Sequence, residues 1–338
     1  MDNAQASVPE ISGLLAAALG ARAGLLDARH EGAYRLFAGF YEGCPDLVAD
    51  AYGRTLVLHN YADPPERGEI LVQAACDFYR DRLSWLTAAV VKPRHAADPV
   101  ARRGALLFGE HPDRHLRENG VRYAVDLLMN RDAGFYLDTR GVRAWARERL
   151  AGKTVLNAFA YTGSLGVAAR AGGAARVVHL DANRAFLNVA KTSYTLNGFP
   201  IDKADFVAGD FWAVASRMRQ AGKVFDCVIL DPPFFATSPG GTIDLARESH
   251  RLINKVRPLV ADDGCLIAIN NALFLSGAGY LRALEDLCAD GYLTIESLIP
   301  APDDVTGYPQ TLFGAPPVDP APFNHATKIA LLRVRRGH

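Results

Sequence analysis

The chain has 338 residues, which at about 150 residues per domain predicts two domains. Hydrophobic residues make up 49% and charged residues 22%, a balance that excludes a disordered protein. Lys plus Arg and Asp plus Glu are equal at 37 each, so any nucleic-acid site must be a local basic patch. The most apolar helical run, residues 11–21, is shorter than the ~20 residues that span a bilayer, so no membrane partner is expected.

Residues 1–5 carry no basic segment ahead of the first apolar helix, so no secretory signal is expected. The five cysteines are too widely spaced along the chain to form a metal-ligand pair. They also suggest no disulfide framework, which fits a reducing environment. The sequence therefore predicts a cytoplasmic protein without a bound metal.

The chain begins with an N-terminal helical segment, residues 1–30, whose helix is predicted at 11–26. A small α+β domain, a candidate for RNA binding, is predicted at residues 31–104. Its elements are β-like segments at 34–40, 47–50 and 55–59 and a helix at 68–87. Residues 92–104 are basic and contain Pro93 and Pro99, which indicates a connector.

Residues 105–338 form the predicted catalytic domain, which opens with a β-hairpin around Asn119 and Gly120. Strands are predicted at 154–158, 176–180, 204–207, 225–230, 265–269, 294–298 and 329–334. Helices are predicted at 165–171, 184–196, 211–220, 243–260 and 279–290. This alternation predicts an α/β, Rossmann-like seven-stranded sheet that is mostly parallel. Because only a Pro-rich stretch, residues 300–323, precedes the last strand, that strand is expected to be antiparallel.

Polar residues follow the ends of consecutive predicted strands, where parallel sheets bind ligands. The first turn contains only Gly163 and Gly166, which disfavours a pyrophosphate-bearing cofactor. Asp181 could accept hydrogen bonds from ribose hydroxyls, and Asp210 with Phe211 could contact an adenine. Helix capping is an equally ordinary reason for an acidic residue after a strand, so each of these aspartates alone leaves both interpretations open.

The fourth predicted strand is followed by Asp231, two prolines and Phe234. Prolines fix φ and lack an N–H group, so this loop should be stiff, with exposed carbonyl groups. The aromatic ring that follows could stack on a flat substrate.

These residues resemble the class I S-adenosylmethionine (SAM) dependent methyltransferases, and more narrowly the RlmI and RlmK type of 23S ribosomal RNA methyltransferases. The resemblance rests on GFYLDTR at 134–140, LNAFAYTG at 156–163 and DPPF at 231–234, and it covers residues 34–335. It implies SAM as the cofactor. The cofactor-binding residues that it implies are Tyr136, Asp138, Arg140, Asn157, Phe159, Tyr161, Thr162, Gly163, Asp181, Asn183, Asp210, Phe211 and Asp231. The catalytic residues that it implies are Asp231, Pro232, Pro233, Phe234 and Asn271.

The residue after the fifth predicted strand bears on the methyl acceptor. Methylation of cytosine C5 uses a cysteine thiolate, which in the RlmI type follows this strand. Asn271 takes that place here, whereas Cys265 lies upstream within the strand and is expected to be buried core. Asn270 and Asn271 resemble the turn of the RlmK type, which methylates a ring nitrogen of guanine. A role in shaping the turn alone is the alternative, and both N7 and an exocyclic nitrogen stay open as acceptors.

Three basic clusters are candidates for RNA contact. They comprise Arg247, Arg251 and Lys255; Arg140, Arg143, Arg147 and Arg149; and Lys92, Arg94, Arg102 and Arg103. Solvated helix faces give the same pattern. The stretch 300–323 is long enough for a lid, and Asn324 and His325 at its end could reach a target.

Together these features predict a methyltransferase that acts on a nucleobase of RNA, with 23S ribosomal RNA favoured as the partner. A nitrogen acceptor is favoured over cytosine C5. The alternative is a SAM-dependent methyltransferase that acts on a small molecule or a protein, which the neutral net charge favours.

Overall fold

The structure is a computed structural model that describes residues 8–336, and it divides the chain into two compact units. The first unit runs to Leu137 and includes Pro302–Pro316, and the second comprises Asp138–Ala301 and the chain from Pro317 onward. The expectation about a secretory signal concerns residues 1–5, which lie outside the described range. Within residues 8–336, no helix is both long and apolar enough to cross a membrane.

The first unit is built on a five-stranded sheet. Its helices and strands are α1 (Val8–Ala21), β1 (Ala33–Ala38), β2 (Leu47–Tyr52), β3 (Thr55–Asn60), α2 (Glu69–Arg82), β4 (Ala88–Pro93), β5 (Ala105–Phe108), β6 (His115–Glu118), β7 (Val121–Ala124) and a four-residue helix, Asp303–Thr306. The strands follow the order β1-β2-β3-β4-β5, and only β3 and β4 run parallel. Apolar residues of α1, α2 and one face of the sheet form a common core, which includes Leu15, Leu58 and Ala75.

The structure corrects the predicted connector at residues 92–104. Residues Ala88–Pro93 form β4 inside the sheet, and Lys92 on this strand is fully buried. Lys92 Nζ donates hydrogen bonds to the carbonyl oxygens of Arg103 at 2.7 Å and Asn130 at 2.9 Å. Burial lowers the pKa of this ammonium group to about 8. Lys92 is therefore not a candidate for phosphate contact. Its strand escaped prediction because Lys and Pro are both depleted in strands.

The structure divides the chain at points other than the predicted boundaries at residues 30 and 104. Helix α1 shares the core of the first sheet, and the β6–β7 hairpin belongs to the first unit. Long-range hydrogen bonds hold this segment there: Arg117 N donates to Glu31 O at 2.7 Å, and Tyr52 Oη donates to Phe135 O at 2.9 Å. The hairpin predicted around Asn119 and Gly120 is present, but it does not open the second unit.

The second unit has the predicted seven-stranded sheet. Its helices and strands are α3 (Arg140–Arg149), β8 (Thr154–Ala158), α4 (Ser164–Ala171), β9 (Arg176–Asp181), α5 (Arg184–Leu196), β10 (Phe206–Ala208), α6 (Phe211–Gln220), β11 (Phe225–Leu230), β12 (Phe235–Ser238), β13 (Gly241–Asp244), α7 (Leu245–Val256), β14 (Val260–Asn270), α8 (Gly277–Cys288), β15 (Leu293–Leu298) and β16 (Lys328–Val334). The strand order is β10-β9-β8-β11-β14-β16-β15, and β16 runs antiparallel to both of its neighbours. The predicted fold class is confirmed.

Both faces of this sheet are covered by apolar side chains. Alternate residues of a strand point to opposite faces, so Leu156 and Val228 enter one core while Val155 and Ile229 enter the other. Burial on both faces is typical of parallel sheets and explains why these strands are continuous apolar runs.

The Pro-rich stretch 300–323 does not form a single lid. Its part Pro302–Pro316 belongs to the first unit, where Asp304 Oδ2 accepts a hydrogen bond from Arg35 N at 2.9 Å. Its end belongs to the second unit, where Phe323 is buried in the core. Different parts of the stretch therefore belong to different units of the chain.

A buried ion pair in the first unit generates a stability prediction. Arg22 and Glu42 are almost fully buried, with two charge-assisted hydrogen bonds of 2.9 and 3.0 Å between them. Because Glu42→Ala leaves a buried guanidinium group without its partner, we expect the free energy of unfolding to fall by about 3–5 kcal/mol. Urea titration monitored by circular dichroism measures this change.

The matched control is Glu110→Ala, whose side chain is 90% exposed, and which should change the free energy of unfolding by less than about 0.5 kcal/mol. Equal stabilities of the two variants would contradict a stabilising role of the buried pair.

Candidate active site

Four loops of the second unit meet at the carboxyl ends of its parallel strands. Backbone hydrogen bonds join them: Ala160 N donates to Leu180 O at 2.8 Å, and Gly209 N donates to Asp181 O at 3.0 Å. A longer bond of 3.4 Å joins Asp231 N to Ala158 O. The loops after β8, β9, β10 and β11 are therefore held together as one site.

The turn after β8 has an unusual backbone conformation. Phe159 and Tyr161 have positive φ angles of 58° and 50°, in a region that non-glycine residues rarely adopt and that is often found at binding sites. Gly163 follows with φ of 82°, and a Cβ atom there would lie 2.5 Å from Ala190 Cβ. Glycine is thus required by both the conformation and the close approach of α5.

Asp181 at the end of β9 is positioned by the backbone. Its two carboxylate oxygens accept hydrogen bonds from Tyr161 N and Asn183 N, both at 2.8 Å. Burial raises the pKa of Asp181 despite these bonds. A carboxylate has about four acceptor sites, so two backbone donors leave capacity for hydroxyl groups of a ligand.

Asn183 and Asp210 both cap helices. Asn183 Oδ1 accepts from Ala185 N at 2.9 Å at the start of α5, and Asp210 Oδ1 accepts from Ala213 N at 2.9 Å at the start of α6. Phe211 is buried, with its ring 4.5 Å from that of Phe159. The capping interpretation therefore holds for Asp210, where a ligand role would be additional to it. For Asp181 it does not hold, because Asn183 is the residue that caps α5.

A hairpin formed by β12 and β13 follows the Asp231 loop and was missed in the sequence. Asp244 at its end caps α7, so that helix begins at Leu245 and not at the predicted residue 243. At the hairpin turn, a Cβ atom on Gly240 would lie 2.1 Å from Asp210 Oδ1. The hairpin turn therefore lies directly against the Asp210 carboxylate. The run Pro239-Gly240-Gly241 is the turn signal that could have predicted it.

Asp231 carries the most perturbed carboxylate of the site. Desolvation, together with the nearby charge of Asp138, raises the pKa of Asp231 to about 7. Asp138 accepts a hydrogen bond from Thr327 Oγ1 at 2.6 Å, whereas no described residue donates one to the Asp231 carboxylate. Two carboxylates with few compensating donors form an environment that favours a cation.

Two asparagines after β14 fix both ends of the segment that contains the Asp231 loop and the hairpin. Asn271 Nδ2 donates to Pro232 O at 3.3 Å, and Asn270 Nδ2 donates to Leu245 O at 3.1 Å. Asn270 is fully buried, so its role is structural. Asn271 differs because its Oδ1 atom is buried without a hydrogen-bond partner among the described residues. An acceptor of this kind suits a ligand N–H group.

Lys328 supports the same turn and was missed as a site residue. It is buried, and its Nζ atom donates to the carbonyl oxygens of Ala272, at 2.8 Å, and of Ala326. Burial lowers the pKa of this amine to about 8. A lysine within an apolar strand is the only signal that the sequence offered for this position.

The remaining predicted site residues differ in how far they are buried. Arg140 begins α3 and is partly exposed, while Thr162 is buried. Asn157 is 1% exposed and its amide contacts His179 Nδ1 at 3.4 Å, so it lies beneath the turn after β8. Pro232 is buried, whereas Pro233 and Phe234 are exposed. Tyr136 belongs to the first unit, where its hydroxyl group donates to Asp132 Oδ2 at 3.2 Å.

The members of the predicted basic clusters differ in exposure and pairing. Arg143 is buried, with Nη1 donating to Thr139 Oγ1 at 3.0 Å. Arg94 pairs with Asp132 at 2.9 Å, and Arg251 pairs with Glu248. Five arginines of these clusters are exposed: Arg103, Arg147, Arg149, Arg247 and Arg251.

The end of the Pro-rich stretch is likewise structural. The Asn324 side chain exchanges hydrogen bonds with the backbone of Ala301, and the buried His325 accepts one from Thr327 N at 3.0 Å. In residues 8–336, no group of three or more His, Cys, Asp or Glu side chains is arranged to hold a metal ion.

The sequence of this chain is similar to that of known methyltransferases. A family model described as S-adenosylmethionine-dependent methyltransferase matches residues 90–292. The protein named ribosomal RNA large subunit methyltransferase I of Photobacterium profundum is 30% identical over 267 residues, which is 78% of this chain and 66% of the relative. The protein of that name from Aliivibrio fischeri is 31% identical over 78% of this chain and 67% of its own length. The chain thus spans about two thirds of these relatives.

A solved structure also shares the fold. The protein SMU.776, whose structure was determined in complex with SAH, has a TM-score of 0.83 at 23% identity, and the match covers 97% of this chain and 82% of that chain.

The raised pKa of Asp231 generates a pH prediction for the protein without added ligand. The protonated carboxyl group is favoured in the fold, so its stabilising contribution is complete below the ordinary pKa of 3.8 and is lost as pH rises through about 7. We therefore expect Asp231→Asn to gain stability relative to the wild type between about pH 5 and about pH 8. Urea unfolding across this range measures the difference.

Asp226→Asn is the control at the other end of β11. Burial alone would raise the pKa of Asp226, but hydrogen bonds from Thr154 and the charge of Lys153 outweigh it and lower that pKa. Its stability curve should therefore run parallel to the wild type over the same range. A parallel curve for Asp231→Asn would show that this carboxylate is not desolvated.

Proposed function

The chain belongs to the S-adenosylmethionine-dependent methyltransferase family, and on that premise we propose that it methylates a nucleobase nitrogen of ribosomal RNA. The observation that carries the choice of substrate is the identity of about 30% to proteins named ribosomal RNA large subunit methyltransferase I. The choice of a nitrogen acceptor is supported by the residues around Asn271.

The site residues fit SAM on two observations. The Asp231 carboxylate, with a pKa raised to about 7 and no described hydrogen-bond donor, suits a positively charged group. The Asp181 carboxylate is oriented by two backbone N–H groups and has acceptor capacity for a ribose diol. When bound, SAM would supply a methyl group on a positively charged sulfur to a nitrogen lone pair of the acceptor base, and the positive charge would pass from the sulfur to the base.

The protein residues contribute orientation and electrostatics. We assign the ribose to Asp181, the adenine edge to the loop of Asp210, and the cationic part of the cofactor to Asp231. A desolvated carboxylate gains more from a cation than an exposed one does, because the interaction is screened less. The rigid turn with positive φ at Phe159 and Tyr161 would hold the cofactor in a fixed position for an in-line transfer.

Asn271 is proposed to position the acceptor base. Its Nδ2 atom is engaged by Pro232 O, so its buried Oδ1 is the atom with capacity for a base N–H group. The Pro232 carbonyl group has a second lone pair and lies in the same loop as Phe234, whose exposed ring could stack on the base. A nitrogen with a lone pair needs this orientation and no covalent activation.

The positions of the cysteines support a nitrogen over cytosine C5. Cys265 is 6% exposed within β14, and its register partner on β11 is Cys227, which is fully buried. Covalent attack on a base needs an accessible thiolate, and none of the five cysteines lies in the turn that contains Asn271.

The test of the proposed function is transfer of labelled methyl from SAM to three pools: transcribed large-subunit ribosomal RNA, transfer RNA, and an extract of metabolites and proteins. Label in the ribosomal RNA, recovered as a nitrogen-methylated nucleoside by mass spectrometry, is the expected result. Label in the extract alone would favour the small-molecule or protein alternative, and 5-methylcytosine would overturn the nitrogen assignment.

A second prediction concerns Cys265. We expect Cys265→Ala to retain methyl transfer within about threefold of the wild type, because a nitrogen acceptor needs no protein nucleophile. Steady-state rates with the labelled ribosomal RNA measure this. Cys227→Ala is the matched control, since both residues are buried at the same register. A roughly thousandfold loss in Cys265→Ala alone, with circular dichroism unchanged, would identify a covalent mechanism.

A further inference from the structure

The most exposed apolar side chains of the second unit flank the candidate site. Phe234, in the loop after β11, is 45% exposed, and Phe235, which begins β12, is 60% exposed. In the loop after β14, Leu273 is 60% and Phe274 is 80% exposed. A large apolar side chain is less favourable in water than when it is buried. A group of exposed ones on neighbouring loops therefore indicates a binding surface.

These two loops are neighbours because their strands pair. β11 and β14 run parallel, with Leu230 opposite Ala268, and the hydrogen bond from Asn271 Nδ2 to Pro232 O joins the loops themselves. Leu273 and Phe274 follow Asn271 directly after Ala272. They therefore stand beside the loop that we propose to hold the methyl donor and the acceptor base.

The segment that carries Leu273 and Phe274 is short and fixed at both ends. Ala272 is fully buried, and its carbonyl oxygen accepts from Lys328 Nζ at 2.8 Å. Ser276 caps α8 by accepting from Gly279 N at 3.1 Å, and Leu275 packs against the core. Hydrogen bonds and core packing therefore fix the backbone on both sides of these two exposed apolar residues.

A base inside a helix is stacked on both faces, so an enzyme that modifies it must turn the nucleotide out of the stack. Proteins that separate stacked bases commonly do so by inserting Phe or Leu side chains between base steps. We propose that Leu273 and Phe274 form an apolar wedge that fills the space left in a structured RNA when the target nucleotide turns toward Asp231. This inference rests on the proposed function, which supplies the RNA substrate.

The wedge explains why the apolar residues are divided between two loops. Phe234 follows the Asp231-Pro232-Pro233 run and would contact the turned-out base, whereas Phe274 would contact the bases that stay in the helix. Separating stacked bases costs free energy, so the wedge matters only where the target is paired and stacked.

The test compares Phe274→Ala with the wild type on two RNA hairpins that carry the nucleotide identified by the transfer experiment. In one hairpin the target is paired, and in the other it lies opposite an abasic site. We expect kcat/KM to fall at least tenfold on the paired target and less than about twofold on the abasic one. A 2-aminopurine next to the target should brighten on binding of the wild type and not of the variant.

Two variants control for loss of exposed apolar surface. Val224→Ala removes a side chain that is 44% exposed just before β11, at the opposite edge of the sheet, and Phe313→Ala removes one that is 71% exposed in the first unit. Both should behave as the wild type on both hairpins, and all variants should bind SAM with unchanged affinity.

Equal losses on the two hairpins, or no loss on the paired one, would overturn the wedge while the proposed function stands. If the wild type methylates no RNA, the proposed function fails first and the wedge fails with it.

Discussion

Parallel pairing of neighbouring strands is the constraint on which the candidate site depends. Strands β8, β9, β10, β11 and β14 run in one direction, so their carboxyl ends and the loops that follow lie along one edge of the sheet. Burial of both faces under helices fixes the register, because a shift by one residue would turn every apolar side chain to the wrong face. The position of each loop is therefore set by the core beneath it.

Polar atoms at this edge divide into those that hold the loops and those with capacity for a ligand. The Asn270 amide donates a hydrogen bond to Leu245 O, and one oxygen of Asp210 accepts the hydrogen bond that caps α6. Asp231 and the Oδ1 atom of Asn271 have no described donor. The Asn271 oxygen is buried and Asp231 is partly exposed. A buried polar atom without a partner costs stability, so its position beside a rigid turn is typical of a functional site whose ligand completes the hydrogen bonding.

Local pattern was sufficient for several strands and helices around the seven-stranded sheet, but it missed features in both units. The helix α5 and the strands β8 and β11 begin and end where the sequence predicts, because apolar runs bounded by glycine and polar residues are strong local signals. The β12–β13 hairpin and the burial of Lys92 were missed. In both, long-range contacts decide the structure: the hairpin turn packs against Asp210, and Lys92 finds its acceptors 11 and 38 residues away in the sequence.

The sequence by itself determined the fold class, the series of strand-end residues and the family to which they belong, since these follow from short motifs and from the alternation of strands and helices. Only the tertiary structure decided which of those residues already make hydrogen bonds within the protein or are buried in it. Whether Asn183 caps a helix, Asn157 lies beneath the turn, Arg143 is buried or Asp231 is desolvated depends on neighbours that are distant in the chain. Desolvation and hydrogen-bond satisfaction are properties of the packed environment, and no spacing of residues along the sequence reports them.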